Sequence, residues 1–182
     1  MPTIFTHALV PVAMGKTITD RKMSKRFWLL AIFCSIAPDL DVIGFSLGIE
    51  YASFWGHRGF FHSLFFAFIL SFVIALFAFR KTGLFSKKWW LIYLFFFAVS
   101  ASHGLLDAFT SGGLGIALFS PFDTTRYFFP WKPLWVSPIG IMGLFSFWGY
   151  KVLVSEIIWA WLPLTVVLLI AKTYRTIKIK SL

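Results

Sequence analysis

The stretch Trp89–Phe109 reads WWLIYLFFFAVSASHGLLDAF. As an α-helix its 21 residues extend roughly 31 Å, about the thickness of a bilayer's hydrocarbon core. It contains no Lys, Arg or Glu and therefore reads as a membrane-spanning helix. Near its end it holds His103 and Asp107, four residues apart and so on one helical face. A carboxylate at the centre of an isolated membrane helix costs about 2.5–3.5 kcal/mol. Asp107 thus needs partners and marks a candidate functional site.

The same reading extends along the chain. Phe60–Phe79 is a span with no charge inside it. Phe27–Leu47 is an apolar run interrupted by Pro38, Asp39 and Asp41. Thr3–Gly15 gives only about 20 Å of helix and reaches part-way into a bilayer. Residues 110–138, rich in Gly, Pro and aromatics, read as a structured loop. Residues 139–154 hold three glycines and Lys151 and are expected as a short or re-entrant helix, with Ser155–Ala171 as the last span. The expected fold is all-α. It is a polytopic membrane helical bundle forming one domain over residues 1–182, with about four full transmembrane helices plus short N-terminal and re-entrant helices.

Composition agrees. The chain is 59% hydrophobic and 13% charged, with mean hydropathy +0.82, 24 Phe and 9 Trp. A soluble domain is nearer half apolar and a quarter charged, so lipid must cover this surface and is the expected partner. The net charge of +10 does not point to nucleic acid, because the Lys and Arg lie between and after the apolar runs. Loops 16–26 and 80–88 and the tail after 171 are expected to face the cytoplasm. A lone Cys34 excludes an intramolecular disulfide and a cysteine zinc site, and reads as a packing residue. No removable signal peptide is expected. Trp89, Trp90, Trp131 and Trp135 read as interfacial anchors.

The topology gathers ligand-type side chains at one depth, near the non-cytoplasmic face. Asp39 and Asp41 lie past the middle of one span, His57 and His62 flank the start of the next, and His103 with Asp107 ends the third. Gly56 and Gly59 put His57 in a loop and His62 on the first helical turn. Pro38 opens its helix and lets both aspartates turn inward. His7 lies about 13 Å of helix from Lys16 and approaches the same level if its segment dips into the bilayer. Seven donors exceed one tetrahedral zinc. They suit two metals, or one metal with an outer layer of partners, and the imidazole–carboxylate set fits Zn, Mn or Fe(II). Arg58 and Arg126 read either as an anion clamp or as interfacial residues, with Asp123 as a partner. Ser63 and Thr110 read as outer hydrogen-bond donors or helix caps.

These motifs are Thr6-His7, Pro38-Asp39-Leu40-Asp41, His57-Arg58-Gly59-Phe60-Phe61-His62-Ser63 and His103-Gly104-Leu105-Leu106-Asp107-Ala108-Phe109-Thr110. Pro121-Phe122 to Arg126-Tyr127-Phe128-Phe129-Pro130 and Ser137-Pro138-Ile139-Gly140 follow. In this order they resemble the membrane-bound metal-dependent hydrolases of the YdjM type over nearly the whole chain. The resemblance implies a bacterial or archaeal inner-membrane hydrolase. A bound metal would activate water against an ester or phosphoester of an amphipathic or lipid substrate. Asp39, Asp41 or His7 would act as the base. The chain has no HExxH motif, which sets it apart from common zinc proteases. The rival readings are a metal or proton transporter, disfavoured by apolar inner halves of the spans, and a non-catalytic metal-stabilised scaffold.

Overall fold

Four apolar runs begin as helices at a serine, because a serine hydroxyl can accept one of the unpaired N–H groups of a first turn. Ser24 accepts from Phe27 N at 3.2 Å, Ser63 from Phe66 N at 3.0 Å, Ser86 from Trp89 N at 3.3 Å and Ser146 from Gly149 N at 3.2 Å. The computed structural model describes residues 1–19, 22–138 and 140–180. Asp20 and Arg21 of the first basic loop, and Ile139 at the head of the expected re-entrant segment, lie outside the described residues.

The helices are α1 (Ile4–Ile18), α2 (Lys25–Ile36), α3 (Ile43–Ser46), α4 (Leu64–Ala78), α5 (Lys87–Ala108), α6 (Phe147–Glu156) and α7 (Leu162–Lys180). A 3-10 turn, Ala37–Val42, joins α2 to α3, and a π-helical turn, Ile157–Trp161, joins α6 to α7. The all-α expectation is met: the described residues form no strand, only isolated bridges Thr110–Leu134 and Ile116–Tyr127 in the long loop. Among the described residues, three units are long and apolar enough to cross a membrane: Lys25–Ser46, Lys87–Ala108 and Phe147–Lys178. Helices α1 and α4 have 15 residues each and are shorter than a full span.

The last third differs from expectation. Residues 139–154 and 155–171 are not a re-entrant helix followed by a separate span. A 3-10 turn at Ile141–Phe145 precedes one continuous helical run from Phe147. The polar pair Ser155–Glu156 does not stop it, because both side chains find partners. Ser155 Oγ donates to Val152 O at 2.8 Å, and Glu156 is satisfied by α1.

Helix α5 packs against α2 and α4, and α1 packs against α2 and α7. Phe27, Ala31, Cys34, Ile74, Phe96 and Val99 form one core cluster. Ala75, Trp89 and Tyr93 form another. Trp89 is therefore not an interfacial anchor: it is fully buried, and its indole N–H donates to Ala75 O at 3.0 Å. Trp90, 42% exposed, keeps the outward position.

Helix α1 is held at both ends by the last helical run. The buried Glu156 carboxylate accepts from Thr3 N at 2.5 Å, Thr3 Oγ1 at 2.6 Å and Thr6 Oγ1 at 2.6 Å. Trp161 Nε1 donates to Thr6 Oγ1 at 2.7 Å. At the far end the Arg175 guanidinium donates to the carbonyls of Lys16 and Thr17. This brings α1 into the bundle along its whole length and sets the depth of His7.

Candidate metal centre

Pro38 stands at the start of the Ala37–Val42 turn, where its missing N–H costs no helical bond. The tighter 3-10 winding turns Asp39 and Asp41 to opposite edges of one imidazole, that of His62. Asp41 Oδ2 lies 3.1 Å from His62 Nδ1, and Asp39 Oδ1 lies 3.4 Å from His62 Nε2. His62 itself sits on a 3-10 turn, Phe60–His62, just before the Ser63 cap rather than on the first turn of α4. His57 comes from the preceding loop and pairs with Asp41 Oδ1 through Nδ1 at 2.6 Å.

Helix α5 supplies the opposite wall. His103 Nδ1 donates to Ser35 O at 2.7 Å, so its Nε2 is free and faces Asp39 Oδ1 at 3.3 Å. One turn on, Asp107 Oδ2 lies 3.6 Å from His62 Nε2. Between them, Gly104 lets the His62 turn approach the helix: a Cβ there would lie 2.4 Å from His62 O. His7 stacks on His103 with ring centroids 3.9 Å apart, and its Nε2 is 3.3 Å from Asp107 Oδ1. All seven expected donors are thus brought together.

Two sets of ligand atoms emerge. Atoms of Asp39, His62, His103 and Asp107 all lie within 4.8 Å of one another, and so do atoms of Asp41, His57 and His62. Both carboxylate oxygens of Asp39 and Asp107, Nε2 of His103 and both nitrogens of His62 are buried without a hydrogen-bond partner. Buried polar atoms are rarely left so. Three carboxylates face one cation, Arg58, whose Nε is 3.5 Å from Asp107 Oδ2. Imidazole nitrogens and carboxylate oxygens gathered at one buried point without hydrogen-bond partners are what a divalent cation requires. The residues fit a metal ion.

The arginines brace the loops around this centre. Arg58, fully buried and with φ 65°, donates to Gly112 O at 2.8 Å, Leu114 O at 3.3 Å and Thr110 Oγ1 at 3.0 Å. Arg126 donates to the carbonyls of His57 at 3.0 Å, Tyr51 at 2.9 Å and Ser53 at 3.1 Å. Their terminal nitrogens are turned onto carbonyl and hydroxyl oxygens of the chain rather than onto an open anion site. Asp123 pairs elsewhere, accepting from Tyr127 Oη at 2.6 Å and Thr125 N at 2.8 Å. Those two bonds hold its exposed carboxyl below the usual range.

Residues 1–178 match the family described as YdjM inner membrane protein. The chain belongs to that family. It is also 37% identical over 166 residues to inner membrane protein YbcI of Escherichia coli (strain K12), covering 90% of this chain and 92% of that protein. No solved structure matches it. In this YdjM-family chain two residues that support the centre were not singled out from sequence. Ser35 accepts from His103 through its carbonyl and donates through Oγ to His7 O at 2.5 Å, tying three helices together. Glu156 fixes α1. The signal for Glu156 was present: it is a fourth acid lodged between apolar runs.

Proposed function

We propose that the chain is a membrane-embedded metal-dependent hydrolase acting on an ester or phosphoester of an amphipathic, lipid-like substrate. The observation that carries this reading is the convergence of Asp39, His62, His103 and Asp107 on one buried point. These four residues would hold a single divalent ion, zinc being the simplest choice for two imidazoles and two carboxylates. Asp41 and His57 form the layer behind: Asp41 faces Nδ1 of His62 and leaves Nε2 to ligate. A bound ion would lower the pKa of a coordinated water and polarise the scissile group.

The chain's own residues supply the rest. His7 Nε2, beside Asp107 Oδ1 and outside the four-atom set, is placed to hold the proton released by the attacking water. Asp39 is the most exposed member of the centre, its side chain 12% accessible. A crevice of about 430 Å³ is lined by Asp41 together with Leu40, Leu47, Trp55, Phe61 and Phe66. An apolar approach that reaches Asp41, the carboxylate behind His62, suits a molecule whose reactive head is joined to an apolar chain. Transport is the weaker reading. Along α2, Phe27, Ala31 and Cys34 lie buried between the basic end and Ser35, so the polar groups do not continue through the bundle.

The test is elemental analysis of the purified protein together with assays on a panel of lipid esters and phosphoesters. Bound metal is expected, with turnover lost on chelation and restored by the divalent ion. No bound metal, with activity unchanged in His103→Ala, would overturn the reading. Metal without turnover across the panel would favour a scaffold, and metal flux in liposomes would favour transport.

A further inference from the structure

The end of the bundle opposite the candidate centre carries its own cleft, of about 580 Å³, between α1, α2 and α5. Its walls are apolar, formed among others by Met14, Ile18, Leu91 and Phe95, and Lys22 and Lys88 stand on its rim. Both lysines are exposed. We infer that this cleft is a binding site for an anionic phospholipid, with the phosphate headgroup between Lys22 and Lys88 and an acyl chain along the apolar wall.

Charge argues for an anion rather than a neutral lipid. Helices α2 and α5 both begin at this end, and their first turns carry Lys25 with Arg26 and Lys87 with Lys88. Neither first turn has an acidic residue. A helix N-terminus is already the positive end of its dipole, so two such ends crowded with cations are unfavourable until an anion joins them. The protein offers little: between residues 16 and 28 and between 79 and 92 the sole acid in the sequence is Asp20. Lys16 is drawn to the same end, its Nζ 5.9 Å from the Trp28 ring. The wall shape argues for a chain-bearing anion rather than free phosphate. Apolar residues of α1 and α5 continue the cleft from the lysines toward the bundle's middle, through Met14 on one side and Ala98 on the other. An acyl chain laid there gains burial that an inorganic ion does not.

The experiment is native mass spectrometry of the full-length protein in mild detergent, titrated with equal amounts of phosphatidylglycerol and phosphatidylcholine. The phosphatidylglycerol adduct should dominate. Lys22→Gln and Lys88→Gln should each weaken it about fivefold. Lys81→Gln, on the same end but outside the cleft, should leave it unchanged. Ala98→Trp, which keeps both lysines and fills the wall, should weaken both lipids together. Equal binding of the two lipids, or a Lys22→Gln/Lys88→Gln variant that binds phosphatidylglycerol like the parent, would overturn the inference. So would an equal loss in Lys81→Gln, which would mean diffuse attraction to a basic surface. Matched thermal unfolding of the lysine variants keeps the comparison valid, since both side chains are exposed.

Discussion

His103 donates from Nδ1 to the carbonyl oxygen of Ser35 at 2.7 Å, and Nε2 of the same ring faces Asp39 at 3.3 Å. A backbone carbonyl only accepts, so this bond fixes the tautomer and leaves Nε2 with a lone pair aimed into the carboxylate cluster. It orients a ligand nitrogen without any contribution from the ion. Replacing His103 by Ala should therefore reduce bound divalent metal from about one ion per chain to background, measured by elemental analysis of purified protein.

Asp41 faces the other side of the centre. It lies 3.1 Å from His62 Nδ1 and pairs with His57 at 2.6 Å. If it orients His62 rather than binding the ion itself, Asp41→Asn should still bind metal, but about 10–100-fold more weakly. Competition with a chelator of known affinity measures this. An Asp41→Asn protein that loses metal as completely as His103→Ala would place Asp41 among the direct ligands and revive the two-ion arrangement.

Glu156 accepts three hydrogen bonds from the start of α1. Glu156→Ala strands the Thr3 N–H and two hydroxyls in a buried place, and should cost about 2–3 kcal/mol. Glu156→Gln keeps an acceptor oxygen and should recover part of it. Thermal unfolding in detergent reports both, and the turnover of Glu156→Ala should fall as well because His7 loses its anchor.

Gly104 admits the His62 turn against α5. Gly104→Ala would bring a methyl group against the His62 carbonyl, a backbone atom that cannot swing aside. A loss of about 2 kcal/mol is expected, with weaker metal binding. A neutral outcome in both measurements would show that the turn shifts freely.

The membrane orientation has a labelling test. Leu84, 48% exposed, and Phe122, 84% exposed, lie in the loops at the two ends of the bundle. Cysteines placed there should react with an impermeant reagent from opposite sides of the membrane, residue 84 from the cytoplasm. The native Cys34 is fully buried and should stay silent. Labelling of both from one side would overturn the orientation read from the basic loops.

Much of this was legible in the sequence because the bilayer imposes simple rules. A 21-residue apolar run can be little else than a crossing helix, and a carboxylate inside it demands partners. That logic placed His103, Asp107, Asp39, Asp41, His57 and His62 at one level. It was weaker wherever a side chain's role depends on a contact distant in sequence. Trp89 reads as an interfacial anchor until Ala75 O is found beside it. Glu156 gains its role only when α1 closes over it, and the same closure explains why the last helical run continues where a break was expected. Arg58 and Arg126 look like anion binders by residue type, and loop carbonyls come to face them only when the chain folds.

The final helical run contributes no donor to the candidate centre, yet it grips both ends of α1 through Glu156, Trp161 and Arg175. Chains are made from the N-terminus onward. Every ligand-bearing segment therefore leaves the ribosome before the residues that seat the first of them. His7, near the beginning of the chain, receives its support from Ser35 of α2 first and from the final run last. A nascent protein stalled before Phe147 would carry the whole donor set with α1 lacking its bonds to Glu156, Trp161 and Arg175, so the last support of the candidate centre arrives only with the final helical run.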